Sequence, residues 1–247
     1  MLIEFCLPVR NEEKILAQNA KRLHNFIEES APDYSWRIVI IVNGSDDSSA
    51  AIARQLEETG DGRFKAKYLV SGGKGLALKE YFRESAADIL VFMDIDLAVS
   101  LDNLSALISP VCSGDYELVI GSRLMSASHT DRALLRSLTS RCYNLLSRLV
   151  LRHGFSDLQC GFKAMRRSLF VSLQSWLVDN FWFFDTELVV SAVYGKRAVK
   201  EIPVNWQENR YDERKSKIRI IHDVWPFVQN VFRFRRRLRT FKYPDNV

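Results

Sequence analysis

The sequence lacks the features of disulfide-rich, metal-cluster and membrane-spanning proteins. Its four cysteines stand far apart, with no CxxC and no Cys/His cluster at metal-ligand spacing, so we interpret them as small apolar side chains in a reducing compartment. No apolar run approaches the ~20 residues that a membrane-spanning helix needs. Residues 3–9 predict a strand rather than a signal peptide. We therefore expect a cytoplasmic protein, at most peripheral to the inner face of a membrane.

Common nucleotide and nucleic-acid signatures are also missing. The run Gly72–Gly75 contains Lys74 but not the spacing of a P-loop. Arginines crowd the C-terminus, yet no RRM, KH or helix-turn-helix pattern accompanies them. We predict no nucleic-acid partner.

What is present is typical of one large α/β domain. The chain has 247 residues, of which 47% are apolar and 26% are charged, which is enough for a sizeable core. Apolar runs alternate with helical patterns, which predicts a mainly parallel sheet flanked by helices. Strands are predicted at 3–9, 36–42, 67–70, 89–93 and 116–120. A later strand at 201–206 contains Pro203, which is typical of a sheet edge.

Two carboxylates follow the most apolar of these strands. The run Ile89–Met93 leads directly into Asp94 and Asp96, and ligands of such sheets bind outside the carboxyl ends of the strands. Paired carboxylates repel each other unless a cation lies between them. A Mg²⁺ ion that carries a nucleotide diphosphate would suit both the position at the strand end and the need for a cation. The alternative is a polar strand end with one helix-capping and one solvated aspartate.

Other strand ends carry polar residues with two interpretations each. Asn11 is a candidate N-cap for the first helix. The cluster Asn43–Ser49 can cap the next helix or present side chains to a nucleoside. Lys74 and its glycines at a helix start indicate an anion site.

Two basic helices are predicted in the second half. In the pattern at 131–152, Arg136, Ser140 and Asn144 share one face, which is either a solvated basic surface or a surface that binds phosphate. From residue 218 onward an apolar stripe is followed by arginines. This amphipathic basic helix fits an anionic membrane surface, and it also fits docking on the protein's own core or a homo-oligomer contact. We therefore divide the chain into a domain at 1–217 and a C-terminal helix at 218–247.

Taken together, eight stretches resemble family 2 glycosyltransferases of the GT-A fold, in the branch of dolichol- and polyprenyl-phosphate sugar synthases. They occur in the order of that family and are Leu7–Glu12, Asn43–Asp47, Gly73–Gly75, Asp94–Asp96, Gly121–Arg123, Asp157–Lys163, Phe184–Glu187 and Glu201–Trp206.

The resemblance implies a Rossmann-like GT-A catalytic domain and a role for each matching position. Mg²⁺ or Mn²⁺ would be held by Asp94 and Asp96. The nucleotide-sugar donor would contact those two residues together with Pro8, Arg10, Glu12, Asn43, Lys74, Gln159 and the Ser216–Lys217 loop. The acceptor phosphate would be gripped by Arg123, Arg136 and Ser140. The catalytic residues would be Asp96, Arg123, Asp157 and Asp185.

The resemblance also implies a reaction, which is inverting transfer of a hexose from a nucleotide sugar to a polyprenyl or dolichyl phosphate. Many relatives carry a metal-binding Gln where this chain has Ala98, and that Ala98 together with the run Gln159–Lys163 favours UDP-glucose over GDP-mannose. C-terminal membrane spans common in relatives are missing. Two alternatives stay open. One is a soluble or cell-envelope glycan acceptor, with Asp185 as its base. The other is a catalytically silent subunit that keeps the fold and serves for nucleotide binding or as a scaffold.

Overall fold

The computed structural model describes residues 1–30, 33–131, 134–207 and 220–241. The strands, in chain order, are β1 (Leu2–Val9), β2 (Ser35–Asn43), β3 (Phe64–Leu69), β4 (Ile89–Met93), β5 (Leu118–Ser122), β6 (His129–Asp131), β7 (Phe162–Arg166), β8 (Val199–Pro203) and β9 (Asn205–Gln207). The helices are α1 (Glu13–Glu29), α2 (Ser49–Thr59), α3 (Lys74–Glu84), α4 (Leu104–Cys112), α5 (Leu134–Leu151), α6 (Arg167–Leu173), α7 (Phe184–Tyr194) and α8 (Ile220–Leu238).

The described strands form a central sheet that confirms the predicted mainly parallel α/β architecture. Its order is β3-β2-β1-β4-β7-β5-β8, and β7 alone in that sheet runs antiparallel to its neighbours. Strand β8 lies at the edge, as Pro203 predicted. Strands β6 and β9 form a separate parallel pair. The reversed β7 brings the loop that precedes it, at 157–161, to the carboxyl end of β4.

Strand β4 shows why the sheet needs helices on both faces. Its alternate side chains point to opposite faces of a pleated strand. Ile89, Val91 and Met93 pack in the core that includes α1, α2 and α4, whereas Leu90 and Phe92 pack in the core that includes α3, α6, α7 and α8. All five are buried, so the strand end carrying the two aspartates is fixed from both sides.

The predicted N-cap of α1 is wrong, because side chains from another loop cap this helix. Asn11 has φ of +54° and lies before the helix, with Glu12 at the cap position and no side-chain cap. The backbone amides of residues 11–13 donate to side-chain oxygens of Ser45, Ser49 and Asp47. The polar cluster after β2 therefore ties the carboxyl ends of β1 and β2 together.

The start of α3 also differs from the anion site that its sequence predicted. The amide of Gly75 donates to the carbonyl of Phe181 at 3.2 Å, and the amide of Leu76 donates to the carbonyl of Asn180 at 2.9 Å. Because these two first-turn amides bond to a neighbouring loop, neither is available to an anion, and Lys74 contributes its side chain.

Helix α8 is docked on the protein's own core. Phe227 and Phe234 pack against Phe183, with ring centroids 6.2 and 6.0 Å apart. Val231 and Leu238 are buried in the same cluster. At the end of the helix, Arg237 makes a 2.8 Å ion pair with the buried Glu187 of α7. Within the described residues, no helix combines the length and apolarity needed to cross a membrane.

The docking of α8 predicts a sharp difference between two phenylalanines of this helix. Phe234 is 1% exposed and Phe232 is 49% exposed. We expect Phe234→Ala to lower the free energy of unfolding by about 3–5 kcal/mol, and Phe232→Ala to change it by less than about 0.5 kcal/mol. Urea unfolding followed by fluorescence measures both. Equal, small losses would contradict the docked position.

Candidate active site

Asp94 and Asp96 stand at the rim of a cleft beyond the end of β4. Residues 94–97 form a turn, in which the amide of Leu97 donates to the carbonyl of Asp94 at 3.1 Å. The carboxylate of Asp96 accepts a 3.2 Å bond from the amide of Ala98. The cleft is lined by Asp94, Asp96, Ala98, Arg123, Gly161 and Trp206. The structure therefore brings the two predicted metal ligands together at one opening.

Gly161 lies directly against the carboxylate of Asp94. The amide of Asp94 donates to the carbonyl of Gly161 at 3.1 Å. A Cβ atom at position 161 would lie 2.1 Å from Oδ2 of Asp94, which is far inside van der Waals contact. Only glycine leaves room here for the carboxylate in this position.

The donor set fits a divalent ion that arrives with a diphosphate. Among the described residues, no group of three or more His, Cys, Asp or Glu side chains could hold a metal ion. Asp94 and Asp96 supply two carboxylates, and Mg²⁺ commonly takes one or two carboxylates and completes its shell with phosphates and water. Position 98, where an amide ligand was expected in relatives, offers only a methyl group.

Lys74 lies buried beside Asp94 and links it to the interior. Its Nζ is 3.1 Å from Oδ1 of Asp94 and 3.4 Å from Oδ2 of Asp185. Burial disfavours the charged amine, but Asp185 and Asp94 outweigh it and raise the pKa of Lys74 above its usual range. A buried positive charge thus lies directly behind the Asp94 carboxylate of the cleft.

Asp185, in the first turn of α7, is held by a second buried lysine. The Nζ of Lys163 donates to Oδ1 of Asp185 at 2.5 Å and to the carbonyl of Cys160 at 2.6 Å. Asp185 and Lys163 are both 0% exposed. Removing either partner would leave an uncompensated charge in the core, which is strongly destabilising.

Arg123, which lines the cleft, forms a bidentate pair with Asp157. Nε and Nη2 of Arg123 donate to the two carboxylate oxygens of Asp157 at 2.6 and 3.0 Å. Burial raises the pKa of Asp157, but the charge and hydrogen bonds of Arg123 prevail and lower it overall. Glu201 accepts hydrogen bonds from the amides of Ser156 and Asp157, which fixes the loop that carries Asp157.

The side chain of Gln159 belongs to a network of uncharged groups. Its amide donates to the hydroxyl of Thr186 at 2.7 Å, and Tyr143 of α5 lies 2.6 Å from the same hydroxyl. Burial raises the pKa of Tyr143 above its usual range, so the phenol stays protonated. The network connects α5 to α7 next to Asp185.

The predicted nucleoside contacts lie at the ends of β1 and β2. Asn43 is buried, and its amide donates to the carbonyl of Val9 at 2.9 Å while its carbonyl accepts from the amide of Gly73 at 3.0 Å. Asn43 therefore joins β1 to the loop before α3. Arg10 is exposed and Pro8 and Glu12 are partly exposed, which leaves these three accessible to a ligand.

The predicted acceptor residues are only partly described. Ser140 is partly exposed on α5, and the side chain of Arg136 on the same helix lies outside the described residues. Ser216 and Lys217 also lie outside them. Of the acceptor set, Arg123 is the member that the structure places in the cleft.

Several residues of the site were not singled out from the sequence. They are Tyr143, Gly161, Lys163, Thr186 and Glu201. Lys163 had a detectable signal, because a lysine at a buried position of the otherwise apolar run Phe162–Met165 requires a carboxylate partner.

Solved structures with the same fold support the GT-A architecture. Glucosyl-3-phosphoglycerate synthase from Mycobacterium tuberculosis, solved with Mn²⁺ and UDP-glucose, matches with a TM-score of 0.68 at 17% identity, over 98% of this chain and 80% of that one. At this identity the likeness shows the fold alone.

Two curated relatives are more similar in sequence. Glycosyltransferase AglD of Haloferax volcanii is 32% identical over 94% of this chain, and this chain spans about a third of its length, 36%. Dolichyl-phosphate beta-glucosyltransferase ALG5C of Trichomonas vaginalis is 29% identical over 96% of this chain and 73% of its own.

A family model described as glycosyl transferase family 2 matches residues 4–173. This match covers more than half of the chain and includes the Asp94/Asp96 turn, the Arg123–Asp157 pair and Lys163. The family expected from the sequence is confirmed: the chain belongs to glycosyl transferase family 2 and is a glycosyltransferase with the GT-A fold.

Proposed function

We propose that this protein transfers a hexose, with inversion, from a nucleotide sugar to a polyprenyl or dolichyl phosphate at the cytoplasmic face of a membrane. The relatives named dolichyl-phosphate beta-glucosyltransferase support this acceptor and favour glucose as the sugar. Ala98 and the run Gln159–Lys163 favour UDP-glucose as donor.

The two lysine contacts of Asp185 are the observation that favours a phosphate acceptor over a hydroxyl acceptor. A hydroxyl acceptor needs a base to take its proton, and Asp185 is the carboxylate predicted for that task. This carboxylate lies between Lys163 and Lys74 at 2.5 and 3.4 Å. Taking up a proton would remove the carboxylate partner of the buried Lys163 and one of the two carboxylate partners of Lys74, the other being Asp94. A phosphate acceptor avoids this cost, because it is already largely anionic and needs little help from a base. Asp185 then positions the two lysines.

On the donor side, Asp94 and Asp96 would hold Mg²⁺ or Mn²⁺, which supplies charge stabilisation to the departing diphosphate. Lys74 is bonded to Asp94 and adds a second positive charge beside it. Preorganised charges in a site shielded from water commonly supply the largest share of catalysis. Lys217, with Ser216, would close over the diphosphate, and Arg10, Pro8 and Glu12 would contact the nucleoside.

On the acceptor side, Arg123 would bring the attacking phosphate toward the donor, with Arg136 and Ser140 from α5. Asp157 holds the guanidinium of Arg123 through two hydrogen bonds and thereby sets its orientation. Arg geometry suits phosphate recognition. Gln159, fixed by Thr186, would line the sugar side of the same space.

We also propose that exposed arginines of α8 touch an anionic membrane surface. The apolar side chains Phe227, Val231 and Phe234 are packed against the core, so insertion of that stripe would require undocking. Arg233 and Arg236 are exposed on the same helix, and a basic residue near such a surface contributes about 1 kcal/mol.

The proposed reaction is tested by transfer from a panel of radiolabelled nucleotide sugars to undecaprenyl phosphate with Mn²⁺. We expect label to enter the organic phase from UDP-glucose. Asp96→Ala should reduce this transfer at least about a hundredfold, because the charge on the diphosphate loses its metal. Transfer only to a glycan acceptor would replace the lipid, and absence of both transfer and nucleotide binding would favour the scaffold.

The close contact between Gly161 and Asp94 predicts that alanine substitutions at two glycines will differ in their effect on metal-dependent UDP binding. Gly161→Ala places a methyl group on the Asp94 carboxylate and should weaken Mn²⁺-dependent UDP binding at least about tenfold, because metal sites tolerate displacements of only about 0.5 Å. Gly154→Ala meets no atom within 4 Å and serves as control. Calorimetry measures both affinities, and unchanged binding in Gly161→Ala would remove Asp94 from the metal site.

The membrane proposal is tested by flotation with vesicles rich in phosphatidylserine. Reversing two charges in Arg233→Glu/Arg236→Glu should reduce binding more than about tenfold at physiological salt. The exposed pair Lys21 and Arg22 on α1, reversed in the same way, provides a control of equal charge change. Equal losses in both variants would indicate an effect of net charge, and no loss in either would exclude α8 as the contact.

A further inference from the structure

Three apolar side chains stand exposed on loop 177–183, between α6 and α7. Val178, Phe181 and Trp182 are 60%, 57% and 43% exposed, and we name them the apolar rim. Single exposed apolar residues are ordinary. Three within five residues, two of them aromatic, concentrate exposed apolar side chains in one loop, and exposed apolar surface of this kind is typical of contact sites.

The loop that carries the apolar rim is held firmly from below. The buried amine of Lys79 donates to the carbonyls of Leu177 and Val178 at 3.1 and 3.0 Å and to the side chain of Asn180 at 2.8 Å. Burial disfavours the charged form of Lys79 and lowers its pKa. The exposed side chains are therefore displayed by an ordered backbone.

The same loop is fastened to three helices. The carbonyls of Asn180 and Phe181 accept from the first turn of α3. Asp179 accepts from the amides of Phe181 and Phe183, and its own amide donates to Glu187 of α7 at 2.8 Å. Its other oxygen lies 3.4 Å from Asn230 of α8. The loop thus has little freedom to fold its apolar side chains inward.

One member of the apolar rim, Trp182, lies near the lysine that contacts Asp94 at the cleft. The Nζ of Lys74 lies 5.5 Å from the ring centroid of Trp182, and the same nitrogen contacts Asp94 and Asp185. Trp182 also precedes Asp185 by only three residues. An acceptor whose phosphate reaches the Asp94 end of the cleft has apolar surface available for the atoms that follow the phosphate.

We propose that the apolar rim binds the first isoprene units of the acceptor lipid. This proposal rests on the proposed function, and it adds the subsite that would recognise the hydrocarbon chain. Loop 177–183 contains no lysine or arginine and does contain Asp179, so an anionic bilayer surface suits it poorly. Three side chains are also far short of the ~800 Å² per partner of a stable protein interface.

The test compares two acceptors with the same phosphate group, methyl phosphate, which carries no isoprene unit, and undecaprenyl phosphate, in one detergent with UDP-glucose and Mn²⁺. Trp182→Ala and Phe181→Ala should each raise the KM for undecaprenyl phosphate about tenfold, since each removes apolar contact area. The preference for the longer acceptor should shrink, while the Kd for UDP stays unchanged. Tyr68→Ala is the control, because Tyr68 is 41% exposed on the sheet edge β3, with β2 and β1 between it and β4.

Each other outcome overturns the proposal in a recognisable way. A fall in UDP affinity for both variants would place the apolar rim on the donor. Equal KM rises for methyl phosphate and undecaprenyl phosphate would assign it to the head group. Unchanged KM values beside active wild-type protein would remove the subsite and leave the proposed function standing. Failure of the wild-type protein to use either acceptor would end both proposals. Phe181→Ala separates chain binding from loss of the Trp182 ring beside Lys74.

Discussion

The buried carboxylate of Asp185 is the constraint on which the site depends. It is 0% exposed, and it is stabilised by Lys163 from β7 and Lys74 from α3. A charge in this position is tolerated only when its partners stay in place. The reversed strand, the start of α3 and the first turn of α7 must therefore meet at one point. The same meeting brings Lys74 to Asp94, which connects the core to the cleft.

The rest of the fold keeps these three elements in register. Strand β4 is buried on both faces, the cluster at Ser45–Ser49 joins β1 to β2, and Asn43 joins β1 to the loop before α3. Helix α8 adds the Arg237–Glu187 pair and covers Phe183. These contacts explain how a site that places several charges in or near a low-dielectric interior keeps a single arrangement, in which Lys74, Lys163 and Arg123 each face a carboxylate.

Sequence reasoning succeeded where the signal is local. The apolar run ending at Asp94 predicted both the strand and the position of the carboxylates, and Pro203 predicted an edge strand. It failed where partners are distant along the chain. Asn11 could be read as a cap because its own helix was the only partner visible, whereas the capping groups lie 34 to 37 residues away. Likewise, Lys79 finds its acceptors 98 to 101 residues later, and no periodicity reports that.

The position of α8 has a consequence for the order in which the protein is made. Residues of every earlier element leave the ribosome before Val231, Phe234 and Arg237 do, yet Phe183 and Glu187 are covered by those late residues. Until then, α7 carries an open apolar face and a carboxylate without its arginine. The packing around α7 is therefore completed only after α8 has been synthesised, and the growing chain exposes this apolar face until that point.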